Sequence, residues 1–156
     1  MPRAFRLVKR KHERHAWDGE GARLYGGRWN SAGVAMVYAS ESAALAALEL
    51  LVHLGSEAIL GAYMLCAAEL PEALVEELPL RAIPRDWRAS PPPARLRALG
   101  DAWAREARSA VLRVPSAVVP TEHNYLLNPA HRDFRAILRR VPRAFGFDPR
   151  LARART

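Results

Sequence analysis

From Trp29 to Leu80 the chain carries no lysine or arginine, yet it holds seven glutamates: Glu41, Glu49, Glu57, Glu69, Glu72, Glu76 and Glu77. Within that block, the run from Glu41 to Leu54 is apolar nearly all round a helix, and such a helix is expected to be buried on most faces. Past its first turn the polar positions are Glu49 and His53, four apart and therefore on one face. A carboxylate flanked by Ala47, Leu48, Leu50, Leu51 and Val52 is costly unless it is paired or faces a cleft where it works. The residues alone leave both readings open: neutralisation by Arg28 or His53, or a place in an active site.

The chain of 156 residues suits one domain with a real core, and half of it is apolar. No apolar run approaches the roughly 20 residues that cross a bilayer. The N-terminal MPRAFRLVKRKHERHAW is basic but leads into no apolar stretch, so a secretory signal is not expected. A single cysteine, Cys66, excludes an internal disulfide framework and fits a reducing cytoplasm, the expected location. The net charge of +8 is carried by the flanks: the first 14 residues hold six basic residues and the last 25 hold eight. Basic flanks imply affinity for an anion, a nucleotide, a nucleic acid or an acidic protein surface.

Along the chain, RAFRLVKR (3–10) reads as a strand, Asp18–Gly27 as a polar loop and VAMVYA (Val34–Ala39) as a strand. Ser40 is the expected cap of the helix Glu41–Leu54, with Gly55 as its stop. Ala58–Leu70 reads as a second strand, broken or bent at Gly61, and PEALVEEL as a short turn or helix. A proline-rich loop (84–93) precedes an amphipathic helix in ARLRALGDAWAREARS, which Gly100 is expected to weaken or split. AVLRVPSAVV (110–119) reads as strand, with Pro115 marking an edge or a bulge at Ser116. EHNYLLNPAHRDF reads as a loop with an Asn128-Pro129 turn, followed by a short helix to Arg140; His123 is read as exposed, and Asn124 and Asn128 as turn residues. The tail after Pro149 is expected to fray. Irregular alternation of short strands and unequal helices argues for an α+β fold.

Several chemistries drop out. There is no phosphate loop and no nucleophile elbow, and GEGARL has Leu24 where a dinucleotide fingerprint needs its third glycine. His12 and His15 lack the further ligands a zinc site needs and read as a solvated basic arm, so no metal is expected. Cys66 reads as an inert core residue.

What remains is a short constellation. Arg28 lies in GGRWN, where glycines allow close approach of a ligand and the guanidinium can fork onto a pyrophosphate or carboxylate. Tyr38 closes a strand and offers either a core aromatic or a face for a cationic ring. Glu49 is the acid in the apolar helix, and Ser116 follows a proline, at a bulge or facing a pocket.

The order GGRWN, VYAS, ALELLVH, VPSAVVP, HNYLLNPAHRDF and FGFDPRL resembles the RES-domain family, bacterial toxins of toxin–antitoxin systems, named for an arginine, a glutamate and a serine. The matching positions here are Arg28, Glu49 and Ser116, with Tyr38 at the family's tyrosine, and the match spans roughly Arg6 to Leu151. The resemblance implies one domain with an ADP-ribosyltransferase-like, split, mostly antiparallel β core and flanking helices; the arm KRKHERH and the tail would lie outside that core and be flexible. It implies NAD as substrate and cleavage of its nicotinamide–ribose bond. Arg28 would hold a phosphate, Tyr38 would stack on nicotinamide, Glu49 would stabilise the ribose cation, and Ser116 would orient nicotinamide or ribose. Asn128 is placed with Arg28, Tyr38 and Ser116 among the residues expected to contact NAD. A helix-turn-helix (Xre-type) antitoxin that occludes the pocket is the implied partner, in a hetero-oligomeric complex. Transfer of ADP-ribose to a protein uses the same pocket and stays open. A basic nucleic-acid-binding domain is disfavoured by scattered arginines without aromatic interleaving, and a structural interaction module ranks below both enzymes.

Overall fold

The computed structural model describes residues 1–153. RAFRLVK forms β1 (Arg3–Lys9), and the basic arm continues it as a 3₁₀ helix, Arg10–His15. The expected loop at Asp18–Gly27 contains a short helix, α1 (Glu20–Tyr25). Asp18 Oδ1 accepts the Glu20 N–H at 3.0 Å, satisfying a donor at the helix start. Gly26, at φ +73°, ends it with a conformation that favours glycine.

VYAS forms β2 (Val37–Ser40) and is followed by α2 (Ala43–Leu51). The cap is Ser42, whose Oγ accepts the Leu45 N–H at 3.0 Å, and not Ser40. Ser40 and Glu41 are still held by strand pairing, since the Glu41 N–H donates to the His123 carbonyl at 3.1 Å. Helix α2 packs on β1 and β2 through Leu45, Ala46 and Leu51. Its opposite flank is open, with Leu48 43% and Val52 56% exposed, so it is less enclosed than its composition suggests.

Tyr63–Glu69 forms β3, preceded by a 3₁₀ turn at Ala58–Leu60, and Val75–Glu77 forms β4. Helix α3 (Ala94–Glu106) runs unbroken through Gly100. A Cβ at Gly100 would lie 1.7 Å from the Trp29 carbonyl oxygen, so the glycine lets α3 touch the GGRWN loop. Asp101, next on the helix, accepts the Ser31 N–H at 2.8 Å and pins the same loop.

Val111–Pro115 forms β5 and His123–Leu127 forms β6. Strand β6 replaces the loop expected at HNYLL. Turn-forming asparagines bracket it, but Tyr125, Leu126 and Leu127 are all buried because both faces of this strand are covered. His123 is half-buried, with Arg113 Nη2 donating to its Nδ1 at 3.0 Å. The helix expected before Arg140 is a 3₁₀ turn at Arg132–Ala136, followed by β7 (Leu138–Arg139), β8 (Arg143–Phe145) and α4 (Arg150–Arg153). The end of the tail, 154–156, lies outside the described residues.

The strands join in the order β4-β5-β6-β2-β1-β3-β7, with β8 also paired to β3. Every pairing is antiparallel except that of β4 with β5. The α+β class and the mostly antiparallel core are therefore as expected. One sheet face buries Ala4, Val37, Cys66, Val111 and Leu127 together. The other face carries two separate clusters. Leu112, Val114 and Leu126 pack with Trp103 of α3, whereas Leu7 and Tyr63 pack with Leu51 of α2.

Between those clusters the sheet opens. Strand β1 pairs with β3 over seven residues and β2 with β6 over four, but β1 meets β2 at a single pair, Phe5 with Ser40. The core is split there, and the split holds the candidate site.

Candidate active site

A cavity of about 1410 Å³ fills the split. It exceeds the roughly 300–1,000 Å³ usual for a small-molecule pocket. Its walls come from β1, β2, the GGRWN loop, α2, the proline-rich segment and the chain after Ser116.

Glu49 reaches this cavity because α2 starts beside β6. Side chains on a helix tilt toward its N-terminus, so a residue two turns into α2 leans back toward the β2–β6 pair. Glu49 Oε1 accepts two hydrogen bonds, from Ser116 Oγ at 2.7 Å and from Asn124 Nδ2 at 2.8 Å. Neither Arg28 nor His53 bonds to it among the described residues, so its partners are two neutral groups. Ser116 is fully buried and is not among the residues lining the cavity. Its oxygen also accepts the Val118 and Val119 N–H groups at 3.1 and 3.0 Å. The hydroxyl proton is thereby directed at Glu49, and the structure places Ser116 behind the carboxylate.

Tyr38 lines the cavity, and its hydroxyl is fully used. It donates to Asn30 Oδ1 at 2.6 Å and accepts the Trp29 N–H at 3.0 Å. Burial pushes the phenol pKa upward from its ordinary value. A Cβ at Gly27 would sit 2.7 Å from the Tyr38 oxygen, so this glycine lets the loop close over the phenol. Asn30, buried, donates from Nδ2 to the carbonyls of Ala22 and Val34 at 2.9 and 3.0 Å, which holds the loop rigid.

Arg28 faces the same cavity, but one end of its guanidinium is committed. Nη1 donates to the Trp87 and Ala89 carbonyls, both at 2.8 Å, and so ties the proline-rich segment to the GGRWN loop. Burial lowers the Arg28 pKa, while the negative charge of Glu49 pulls it back up. Arg88, on the tied segment, also lines the cavity and donates from Nε to the Ala117 carbonyl at 3.0 Å.

Three further residues belong here that the sequence reading did not assign. Arg6 of β1 lies in the split, and its Nη1 donates to the Tyr38 carbonyl at 2.7 Å. Its Nε is buried without a partner among the described residues, and burial lowers its pKa to about 10, against the weaker pull of Cys66 and Asp18. Arg6 itself lines the cavity and brings its positive charge to it. Asn124 and Ser40 are the others: both line the cavity and bond to each other at 2.8 Å. Arg6 had one signal in the sequence, a cation inside an alternating strand. Asn124 had none, because its segment reads as a turn.

Asn128 sits elsewhere. It is buried, donates from Nδ2 to the Ala104 carbonyl at 3.0 Å and accepts the Ala130 N–H at 3.0 Å. It ties the end of β6 to α3 and does not line the cavity, so the structure places it as a turn residue apart from the other residues expected to contact NAD. His15, read as part of a solvated arm, lines the cavity rim, where its Nδ1 lies 2.9 Å from Asp18 Oδ2. Arg28, Tyr38 and Glu49 are brought together.

Comparison with known proteins fits this geometry. The RES domain family matches residues 3–148. A protein named Toxin Res from Photorhabdus laumondii is 40% identical over 152 residues, 97% of each chain. Another Toxin Res, from Yersinia enterocolitica, is 41% identical over 148 residues, 94% of this chain and 97% of its own. The Prs ADP-ribosylating toxin of a Sphingobium species is 40% identical over 147 residues, 92% of this chain and 91% of its own. Among solved structures, the M. tuberculosis MbcT-MbcA toxin-antitoxin complex contains a chain of similar fold. Its TM-score is 0.76 at 19% identity, over 99% of this chain and 88% of that one.

Proposed function

The chain belongs to the RES domain family, and from that premise we propose that it is a toxin that breaks the nicotinamide–ribose bond of NAD and depletes the cellular pool. What carries the reading is the meeting of Arg28, Tyr38 and Glu49 on one cavity, with Glu49 held by neutral groups. In the reaction the bond between ribose C1′ and the ring nitrogen breaks. Its electron pair passes to nicotinamide, which leaves neutral, and C1′ becomes cationic. A nucleophile oxygen, from water or inorganic phosphate, then bonds to C1′ and sheds its proton.

The chemistry of the cavity suits that course. Among the described residues the hydrogen bonds to Glu49 fall on Oε1, so Oε2 is the oxygen left to stabilise the ribose cation. The Tyr38 ring offers an aromatic face to the nicotinamide cation. Arg28, Arg6 and Arg88 supply positive charge for the pyrophosphate. The test is NAD consumption by the purified protein, followed by nicotinamide release. Glu49→Ala is expected to lose at least about a hundredfold in turnover, the scale of losing one preorganised electrostatic group. A variant that consumes NAD at the parent rate overturns the assignment.

Transfer of ADP-ribose to a protein is the second reading, favoured by the name of the Sphingobium relative. Labelled NAD incubated with cell extract separates the two: label on a macromolecule means transfer, and free ADP-ribose or its phosphate means degradation. A helix-turn-helix antitoxin that fills the cavity is the proposed partner; the complex in which the structural neighbour was solved supports an antitoxin partner as such. Induction of the chain alone is expected to arrest bacterial growth, and co-expression of such a partner to restore it.

A further inference from the structure

We propose that Ser40 and Asn124 form a positioning pair that presents Glu49 to the substrate with one defined oxygen. The inference rests on the reading that Glu49 carries the chemistry. Ser40 and Asn124 face each other as register partners at the end of the β2–β6 ladder. Ser40 Oγ donates to Asn124 Oδ1 at 2.8 Å, and Asn124 Nδ2 donates to Glu49 Oε1 at 2.8 Å. A carboxylate only accepts, so the amide must turn its nitrogen toward Glu49. That leaves Oδ1 in need of a donor, and Ser40, 3% exposed, supplies it. Without the Ser40 hydroxyl the amide is free to rotate, and rotation would set Oδ1 against the carboxylate. The order Ser40, Asn124, Glu49 thus runs from a buried hydroxyl to the reacting group, and Ser116 closes it from the other side at 2.7 Å on the same Oε1.

Strand pairing does not require this side-chain bond. Backbone pairs from Val37–Leu127 to Ser40–Asn124 already set the register, and the Glu41 N–H extends it to His123. Both residues also line the cavity.

The experiment compares Ser40→Ala, Ser40→Thr, Asn124→Ala and Asn124→Asp with the parent in NAD turnover, with melting temperature recorded for each. Ser40→Ala is expected to lower kcat about tenfold with KM within about twofold, the pattern of an interaction felt mainly in the transition state. Ser40→Thr, which keeps the hydroxyl and suits a strand, is expected to restore at least half of that loss. Asn124→Asp sets a carboxylate against Glu49 and is expected to lose more than Asn124→Ala. Unchanged kcat in Ser40→Ala and Asn124→Ala overturns the proposal. So does a rise in KM at constant kcat, or a collapse of melting temperature in every variant. If the parent consumes no NAD, the proposed reaction fails but this inference is still read from growth arrest on induction. Arrest blunted by Ser40→Ala and restored by Ser40→Thr upholds the pair, and arrest unchanged by Ser40→Ala and Asn124→Ala removes it.

Discussion

Ser116 Oγ donates a hydrogen bond to Glu49 Oε1 at 2.7 Å, across 67 positions of sequence, and itself accepts two backbone N–H groups. The serine is thus a junction between the turn after β5 and the acid on α2, and its role in the site passes through Glu49.

Removing that junction is expected to cost both stability and rate. Ser116→Ala leaves the Val118 and Val119 N–H groups without their acceptor. Both donors are half-buried, so the loss is expected at the low end of the about 1–3 kcal/mol that an unsatisfied buried group costs, and Glu49 loses one of two donors. Denaturant unfolding should show the first effect, and NAD turnover in the folded fraction the second. Loss of turnover with parent stability would contradict this double role.

Arg6 is expected to trade stability for function. Its pKa is lowered to about 10 by burial, so the folded state holds the charged form at a disadvantage relative to the unfolded chain. That disadvantage is fully present below pH 10. Between pH 10 and the ordinary guanidinium value the unfolded chain binds more protons, so this group makes stability rise with pH there. Arg6→Met removes the buried charge but also the bond to the Tyr38 carbonyl. The net expectation is a gain of about 1–2 kcal/mol at neutral pH, with NAD turnover at least tenfold lower. Chemical denaturation and a turnover assay check the two halves.

Arg28→Lys preserves charge and loses the fork. A lysine ammonium is a compact point donor and does not reproduce the paired geometry. With the bonds to Trp87 and Ala89 weakened, the segment 84–93 is expected to become more readily cleaved by protease, and KM for NAD to rise by about tenfold. Limited proteolysis with parent kinetics alongside tests this. Parent-like resistance would show that the segment is held by its other contacts.

Gly100→Ala is expected to be among the most damaging single changes, although alanine is the better helix former. The added Cβ would fall 1.7 Å from the Trp29 carbonyl oxygen, against backbone that has little room to give. The loop carrying Arg28 must then move off α3. A loss of about 3 kcal/mol or more is expected, read as melting temperature or as failure to fold.

Local pattern alone established much of this protein. Alternation placed β1 and β3, the apolar run placed α2 within a few residues, and the isolated carboxylate picked out Glu49. Glycine and proline context marked Arg28 and Ser116, a strand end marked Tyr38, and resemblance in motif order gave them their expected roles. Those signals are short-range: a helical period, a strand period, and a charge out of keeping with its neighbours.

What tertiary structure decided is everything that depends on which strands lie side by side. HNYLL holds Asn124 and is followed by Asn128, both turn formers, and it is a strand because two faces of neighbouring structure bury Tyr125, Leu126 and Leu127. Only that pairing sets Asn124 opposite Ser40 and within reach of Glu49, and Asn128 beyond the cavity. Gly100 looked like a helix breaker and is a contact point, because the partner that needs its missing side chain lies 71 positions earlier. Arg6 resembled other basic residues of its flank until the opening between β1 and β2 buried it. Hydrogen bonds and burial of this kind follow from long-range register, which no local pattern encodes.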